Sequence, residues 1–113
     1  MRKFSSLALL LVCSCYVPLT LAADGSVTIS APANGAKISP SAITTITYDV
    51  TPGSAGDHVH LYVDNGEASV IRKLKGNYSL DKLPLGKHEI CIKVVTKSHT
   101  PTGVQQCIKV SVE

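Results

Sequence analysis

The 113-residue sequence predicts an all-β domain, an antiparallel β-sandwich of about seven strands. Short segments alternate apolar and polar residues with a period of two, which is typical of half-buried strands. Turn-forming residues interrupt these segments at intervals of roughly ten residues, as in sandwich domains. No stretch shows the period of a helix.

The predicted strands follow from this alternation, taken along the chain. In order they cover residues 27–38 with a kink at 31–35, residues 44–50, 58–64 and 68–74, a short segment near 78–80, and a closing hairpin of 88–96 and 104–112. Asn65-Gly66 between two of them predicts a tight type I′ turn.

The first residues have the features of a signal peptide. Arg2 and Lys3 precede an apolar run at residues 7–12, and a small-residue cleavage site ends at Ala22. The expected organisation is therefore a signal peptide at 1–22 and one domain at 23–113, in a periplasmic or secreted protein. The alternative is a lipoprotein anchored through Cys15. The apolar run is shorter than the roughly 20 residues of a membrane-spanning helix, so no transmembrane segment is expected.

Composition and motifs argue against two functional classes. Removing Arg2 and Lys3 from the 11 basic residues leaves 9 against 8 acidic residues, which gives nucleic-acid binding little electrostatic support. The sequence has no phosphate-binding Gly-rich loop, no Gly-x-Ser-x-Gly elbow and no Cys-x-x-Cys motif. We therefore expect no enzymatic activity.

Cys91 and Cys107 are the cysteines left after the leader, and a pair in a small exported domain predicts a disulfide. Placing them opposite each other in the closing hairpin sets the register. The other predicted pairs are Ile90 with Ile108, Glu89 with Lys109, and Val94 with Val104. Because the isoleucines face the core, the disulfide should lie on the outer face of the sheet.

Three segments carry a family resemblance: Val27-Thr-Ile-Ser-Ala-Pro-Ala-Asn-Gly35, Leu80-Asp-Lys-Leu-Pro-Leu-Gly-Lys-His-Glu-Ile90 and the closing hairpin. They resemble the bacterial immunoglobulin-like and fibronectin type III-like domains of exported proteins. This resemblance covers nearly all of the mature chain and implies an immunoglobulin-like sandwich. The chain has no Trp, and its cysteines are predicted on adjacent strands, so it differs from antibody-type domains. His88 falls where such domains often have a corner side chain, which implies a structural role.

His58-x-His60 is the sharpest candidate for chemistry. Residues two apart on a strand point to the same side, where two imidazoles can share a metal ion. Asp64 falls on the same predicted face, so the candidate metal ligands are His58, His60 and Asp64, for Cu or Zn. The alternative interpretation is a polar, solvated strand face. His99 is predicted as a polar residue of the last loop that helps the metal site if one exists.

The sequence therefore predicts an exported, non-catalytic immunoglobulin-like module that binds a protein or small ligand through its outer sheet face or loops, without a cofactor. The alternative is a periplasmic Cu- or Zn-binding protein using His58 and His60. A third possibility is sugar binding through Tyr62, for which one outward aromatic residue is a thin basis.

Overall fold

The computed structural model describes residues 24–113. The predicted signal peptide at 1–22 and the alternative anchor at Cys15 lie outside these residues. Residues 24–113 form eight strands in two sheets and contain no helix, so this part of the chain offers no helix suited to crossing a membrane. The predicted all-β sandwich is confirmed, with one strand more than expected.

The two sheets differ in size. The smaller has the order β1-β3-β6, and the larger has the order β2-β8-β7-β4-β5. Neighbouring strands are antiparallel except β2 and β8. The strands are β1 (Ser26–Ala31), β2 (Ala36–Ile38), β3 (Thr44–Thr51), β4 (His58–Val63), β5 (Gly66–Ile71), β6 (Lys75–Leu80), β7 (Gly86–Val95) and β8 (Pro101–Val112).

The predicted kinked first strand is two strands in different sheets. β1 pairs with β3, whereas β2 runs parallel to β8, with Ala36 opposite Val110. The intervening turn contains a cis Ala31–Pro32 bond and Gly35 at φ +85°. Side-chain alternation shows which residues face inward, but it does not show to which sheet a strand belongs.

The core lies between the sheets and consists of the apolar side chains that alternate along each strand. On β4, Val59 and Leu61 are fully buried in it, and Val63 packs against its edge. The predicted inward faces of β3 and β7 are also confirmed. Their buried members are Ile46, Tyr48, Val50, Ile90, Ile92 and Val94. The side chains at His58 and His60 consequently lie on the outer face of the larger sheet.

The closing hairpin has the predicted register over most of its length. Cys91 lies opposite Cys107 and forms the predicted disulfide with it. Closing a loop of this length contributes roughly 3 kcal/mol in the chain-entropy model. The predicted pairing of Val94 with Val104 is wrong, because an irregularity between Lys93 and Val95 shifts the register. Beyond this bulge the strands end in the loop at residues 96–100, which we call the β7–β8 loop.

The turn between β4 and β5 lies one residue earlier than predicted. Its two residues with positive φ are Asp64 at 51° and Asn65 at 67°, the signature of a type I′ turn, and Gly66 begins the next strand. Asp64 is therefore a turn residue and does not continue the face that carries His58 and His60.

Candidate metal centre

Three histidines converge on the outer face of the larger sheet. His58 Nε2 lies 3.2 Å from His60 Nε2, and His99 Nδ1 lies 3.3 Å and 2.9 Å from these two atoms. His58 and His60 are buried, at 1% and 3% exposure, whereas His99 is exposed. The solvated strand face considered for His58 and His60 is therefore wrong, since both rings are covered.

The sheet topology brings His99 to the other two rings. β4 pairs with β7 so that His58 is opposite Val95, which places the end of β7 beside the start of β4. The β7–β8 loop then turns back through hydrogen bonds from His99 N to Thr96 O, 2.9 Å, and from Thr96 N to Thr100 O, 2.9 Å. His99 has φ +66°, a left-handed conformation uncommon for a residue other than Gly. This conformation orients the loop so that the imidazole lies over β4.

Carboxylates occupy the outer nitrogens of both buried rings. His58 Nδ1 lies 2.8 Å from Asp57 Oδ2, and His60 Nδ1 lies 3.4 Å from Glu67 Oε1. Asp57 is itself fixed by a backbone hydrogen bond from its N–H to Val95 O, 2.8 Å. Metal-binding histidines commonly donate their second N–H to a carboxylate, which fixes the ring and increases its basicity. Neither Asp57 nor Glu67 was predicted from the sequence.

These contacts shift the pKa values of Asp57 and His60. The hydrogen bond from His58 lowers the pKa of Asp57, so its carboxylate is charged and accepts the Nδ1–H of His58. Burial lowers the pKa of His60, with Glu67 opposing the effect, which favours the neutral ring. The Nδ1 atoms of both rings face carboxylates, and the Nε2 atoms of both rings face the centre. His99 Nδ1 lies 3.3 Å and 2.9 Å from the two Nε2 atoms, so three ring nitrogens face one point.

The nitrogen spacing suits one transition-metal ion. An ion with bonds of about 2.05 Å to nitrogen separates its ligands by about 2.9 Å at right angles and about 3.3 Å in a tetrahedron. The three observed separations, 2.9 to 3.3 Å, span this range. Imidazole nitrogen suits Zn, Cu and Ni, whereas Ca and Mg prefer oxygen ligands.

Asp64 is not part of this centre, which corrects the predicted ligand set. Its Oδ2 lies 2.5 Å from His88 Nδ1, and its Oδ1 accepts a hydrogen bond from Glu89 N at 2.8 Å. The extended residues 61–63 lie between it and His60, which separates the two by roughly 10 Å or more. The other ring nitrogen of His88 donates to Pro84 O at 2.7 Å, which confirms the structural role expected for His88.

Two further groupings of polar residues in the described part of the chain are weaker candidates for a metal site. Glu89 lies near the sulfurs of Cys91 and Cys107, which are bonded to each other and hold no free thiolate. A concave surface of about 500 Å³ is lined by residues that include Asp64 and His88, whose side chains are paired with each other. The histidine cluster is therefore the stronger candidate site.

Tyr62 provides a restricted surface for sugar stacking. The Lys93 ammonium lies 4.5 Å from the centre of its ring, and the residue is only partly exposed. A cation therefore occupies one face of the ring.

Both a solved structure and a family model match this chain. The structure is similar to the fibronectin(III)-like modules of Clostridium thermocellum CbhA, with a TM-score of 0.64 and 19% sequence identity over 77% of this chain and 96% of that chain. At this identity the likeness shows the fold alone. No curated protein matches the sequence. The family model of the bacterial Ig domain matches residues 26–92, more than half of the chain. The chain therefore belongs to the bacterial Ig domain family.

Proposed function

We propose that this protein is an exported immunoglobulin-like module that binds one divalent transition-metal ion, Zn(II) or Cu(II), through His58, His60 and His99. The observation that carries the proposal is the convergence of three ring nitrogens within 3.3 Å of one another. Three imidazole nitrogens at this spacing can bind one ion together, and imidazole is a ligand that suits both Zn and Cu.

The surroundings of the cluster support the same function. Asp57 and Glu67 place two negative charges on the outer nitrogens, which balances the charge of a divalent ion. Residues 24–113 contain no Met, so a thioether site for Cu(I) is not part of the proposal. The predicted leader and the Cys91–Cys107 disulfide support export. The proposed activity is binding, without catalysis, in keeping with an accessory module.

Calorimetric titration of the purified protein with Zn(II) or Cu(II) tests the proposal. We expect one ion per chain. Replacing His99 is the decisive change because its side chain is exposed, whereas the other two are buried. His99→Asn keeps a residue that tolerates the left-handed conformation, and it should lower the affinity more than about 100-fold.

His88→Gln is the matched control, since it removes a histidine that lies outside the cluster. It should leave the affinity unchanged. Absence of binding by the wild-type protein, or equal affinity in wild type and His99→Asn, would overturn the proposal. Circular dichroism of each variant checks that the sandwich is intact.

A further inference from the structure

The three-histidine cluster supplies fewer ligands than a transition-metal ion takes. Such ions are at least four-coordinate in proteins, and sites with three protein ligands keep the remaining position for water or another external ligand. Among residues 24–113, the His, Cys, Asp and Glu donors that converge here are those of His58, His60 and His99. Any role for the remaining position rests on the proposed metal binding.

Neighbouring side chains do not fill the remaining position. Asp57 and Glu67 are engaged at the outer nitrogens of the rings that they contact. Asp64 is held by His88, and the sulfur of Cys91 is bonded to that of Cys107. Among residues 24–113, the remaining position therefore has no His, Cys, Asp or Glu ligand.

The cluster reaches the protein surface on one side. His58 and His60 are buried against the sheet, but His99 and its neighbours in the β7–β8 loop are exposed. An ion held between the three nitrogens thus lies beneath a single exposed ring. A small ligand can approach it without opening the core.

Cationic side chains lie near this part of the surface. Arg72 Nη1 lies 3.9 Å from Asp57 Oδ2, and Lys97 is an exposed residue of the β7–β8 loop, two residues before His99. Lys93 is opposite His60 in the register of β4 and β7. The two carboxylates offset the charge of a divalent ion, which leaves these three cations in excess.

We infer that the bound ion keeps at least one coordination position for an exogenous, monodentate anion. The open position provides the bond, and the excess positive charge of Arg72, Lys93 and Lys97 nearby favours an anion over a neutral ligand. The module would thus bind small anionic ligands through its metal, in a ternary complex.

Cobalt substitution with azide as the probe anion tests this inference. Co(II) takes the same histidine ligands as Zn(II), and its visible d–d bands change with the ligand set. We expect azide to change these bands saturably in the Co(II)-loaded protein, with the metal still bound. Lys97→Gln should weaken azide binding about threefold at low salt without weakening Co(II) binding.

Lys87→Gln provides the charge-matched control. Lys87 lies at the start of β7, about 25 Å from the end of the strand where the cluster lies, so azide affinity should not change. Bands that stay unchanged at saturating azide, with Co(II) bound, would overturn this inference and leave the proposed function standing. Release of Co(II) by azide would also overturn it. Failure of the wild-type protein to bind Co(II) would remove the proposed function itself.

Discussion

In the proposed metal centre, Asp57 would control the affinity for the ion without contacting it. Its carboxylate accepts the Nδ1–H of His58, which fixes the ring with Nε2 facing the centre. Asp57→Asn should lower Zn(II) affinity about 10- to 100-fold, because the amide is a weaker acceptor and carries no charge. Calorimetry measures the change. Asp49→Asn, which removes an exposed carboxylate paired with Lys75 on the other sheet, is the control. An equal loss of Zn(II) affinity in both variants would contradict a specific role for Asp57.

The His88–Asp64 pair makes stability depend on pH. Its hydrogen bond to Asp64 raises the pKa of His88 above 6.5, and the same bond lowers the pKa of Asp64 below 3.8. The stabilisation that comes from the raised pKa of His88 is fully present below pH 6.5. It is lost as the pH rises through that raised pKa. The stabilisation that comes from the lowered pKa of Asp64 is present above pH 3.8. It is lost as the pH falls through that lowered pKa.

Between pH 3.8 and pH 6.5, His88→Gln should therefore lower the free energy of unfolding by about 1 kcal/mol. The loss is no larger because Asp64 is half exposed and solvent partly screens the pair. The difference from wild type should shrink as the solution becomes alkaline. Urea unfolding of both proteins across this range measures it. A difference that stays constant from acidic to alkaline pH would show that the pair is not ionised as described.

The contrast between Asp64 and His99 shows what the sequence could predict of the site. The strand period placed His58 and His60 on one face, and the structure brings them together. The same period does not show how far apart two residues lie along the strand. The prediction of Asp64 as a metal ligand was therefore wrong. The position of His99 follows from the order of the strands in the sheet. Because β7 pairs with β4, the loop after β7, which contains His99, lies beside His58. The left-handed conformation that turns His99 onto β4 has no such signal.

Gly56 fixes how the loop from β3 meets the site. A Cβ at this position would contact the Pro52 carbonyl oxygen and lie 2.6 Å from Val94 Cγ1. Gly56→Ala should therefore destabilise the protein by about 1 to 3 kcal/mol and displace the adjoining Asp57. Urea unfolding measures the loss. Gly66→Ala is the control because its nearest contact is an ordinary 3.4 Å, and it should change stability by no more than about 0.5 kcal/mol. Similar values for the two variants would contradict the close packing at Gly56.

Strand pairing was most predictable where side chains constrain it from both sides. In the closing hairpin, the cysteines, the isoleucines and the Glu89–Lys109 pair all required one register, and that register is present. The bulge after Lys93 was not predictable. Without a bulge, Val94 would pair with Val104, and that pair is also apolar. The passage of β2 into the other sheet depends on contacts with β8 that are distant in sequence.

The proposed metal centre would join parts of the sandwich that are far apart in the chain. His58 and His99 are 41 residues apart, so an ion between them links β4 to the β7–β8 loop in the folded state alone. At an excess of about 100 times the dissociation constant, such binding stabilises a protein by about 2.7 kcal/mol. The unfolding temperature should then rise by on the order of 10 °C. Differential scanning calorimetry with and without Zn(II) measures the rise, and an equal rise in His99→Asn would contradict the link.

The central claim is that three of the four histidines form one metal centre. The most direct test follows the ring signals of all four by NMR while Zn(II) is added to the purified protein. We predict that the signals of His58, His60 and His99 change together and stop changing at one equivalent, while those of His88 stay in place because its nitrogens are bonded to Asp64 and Pro84. Unchanged signals at His58, His60 and His99 after one equivalent of metal would contradict the account.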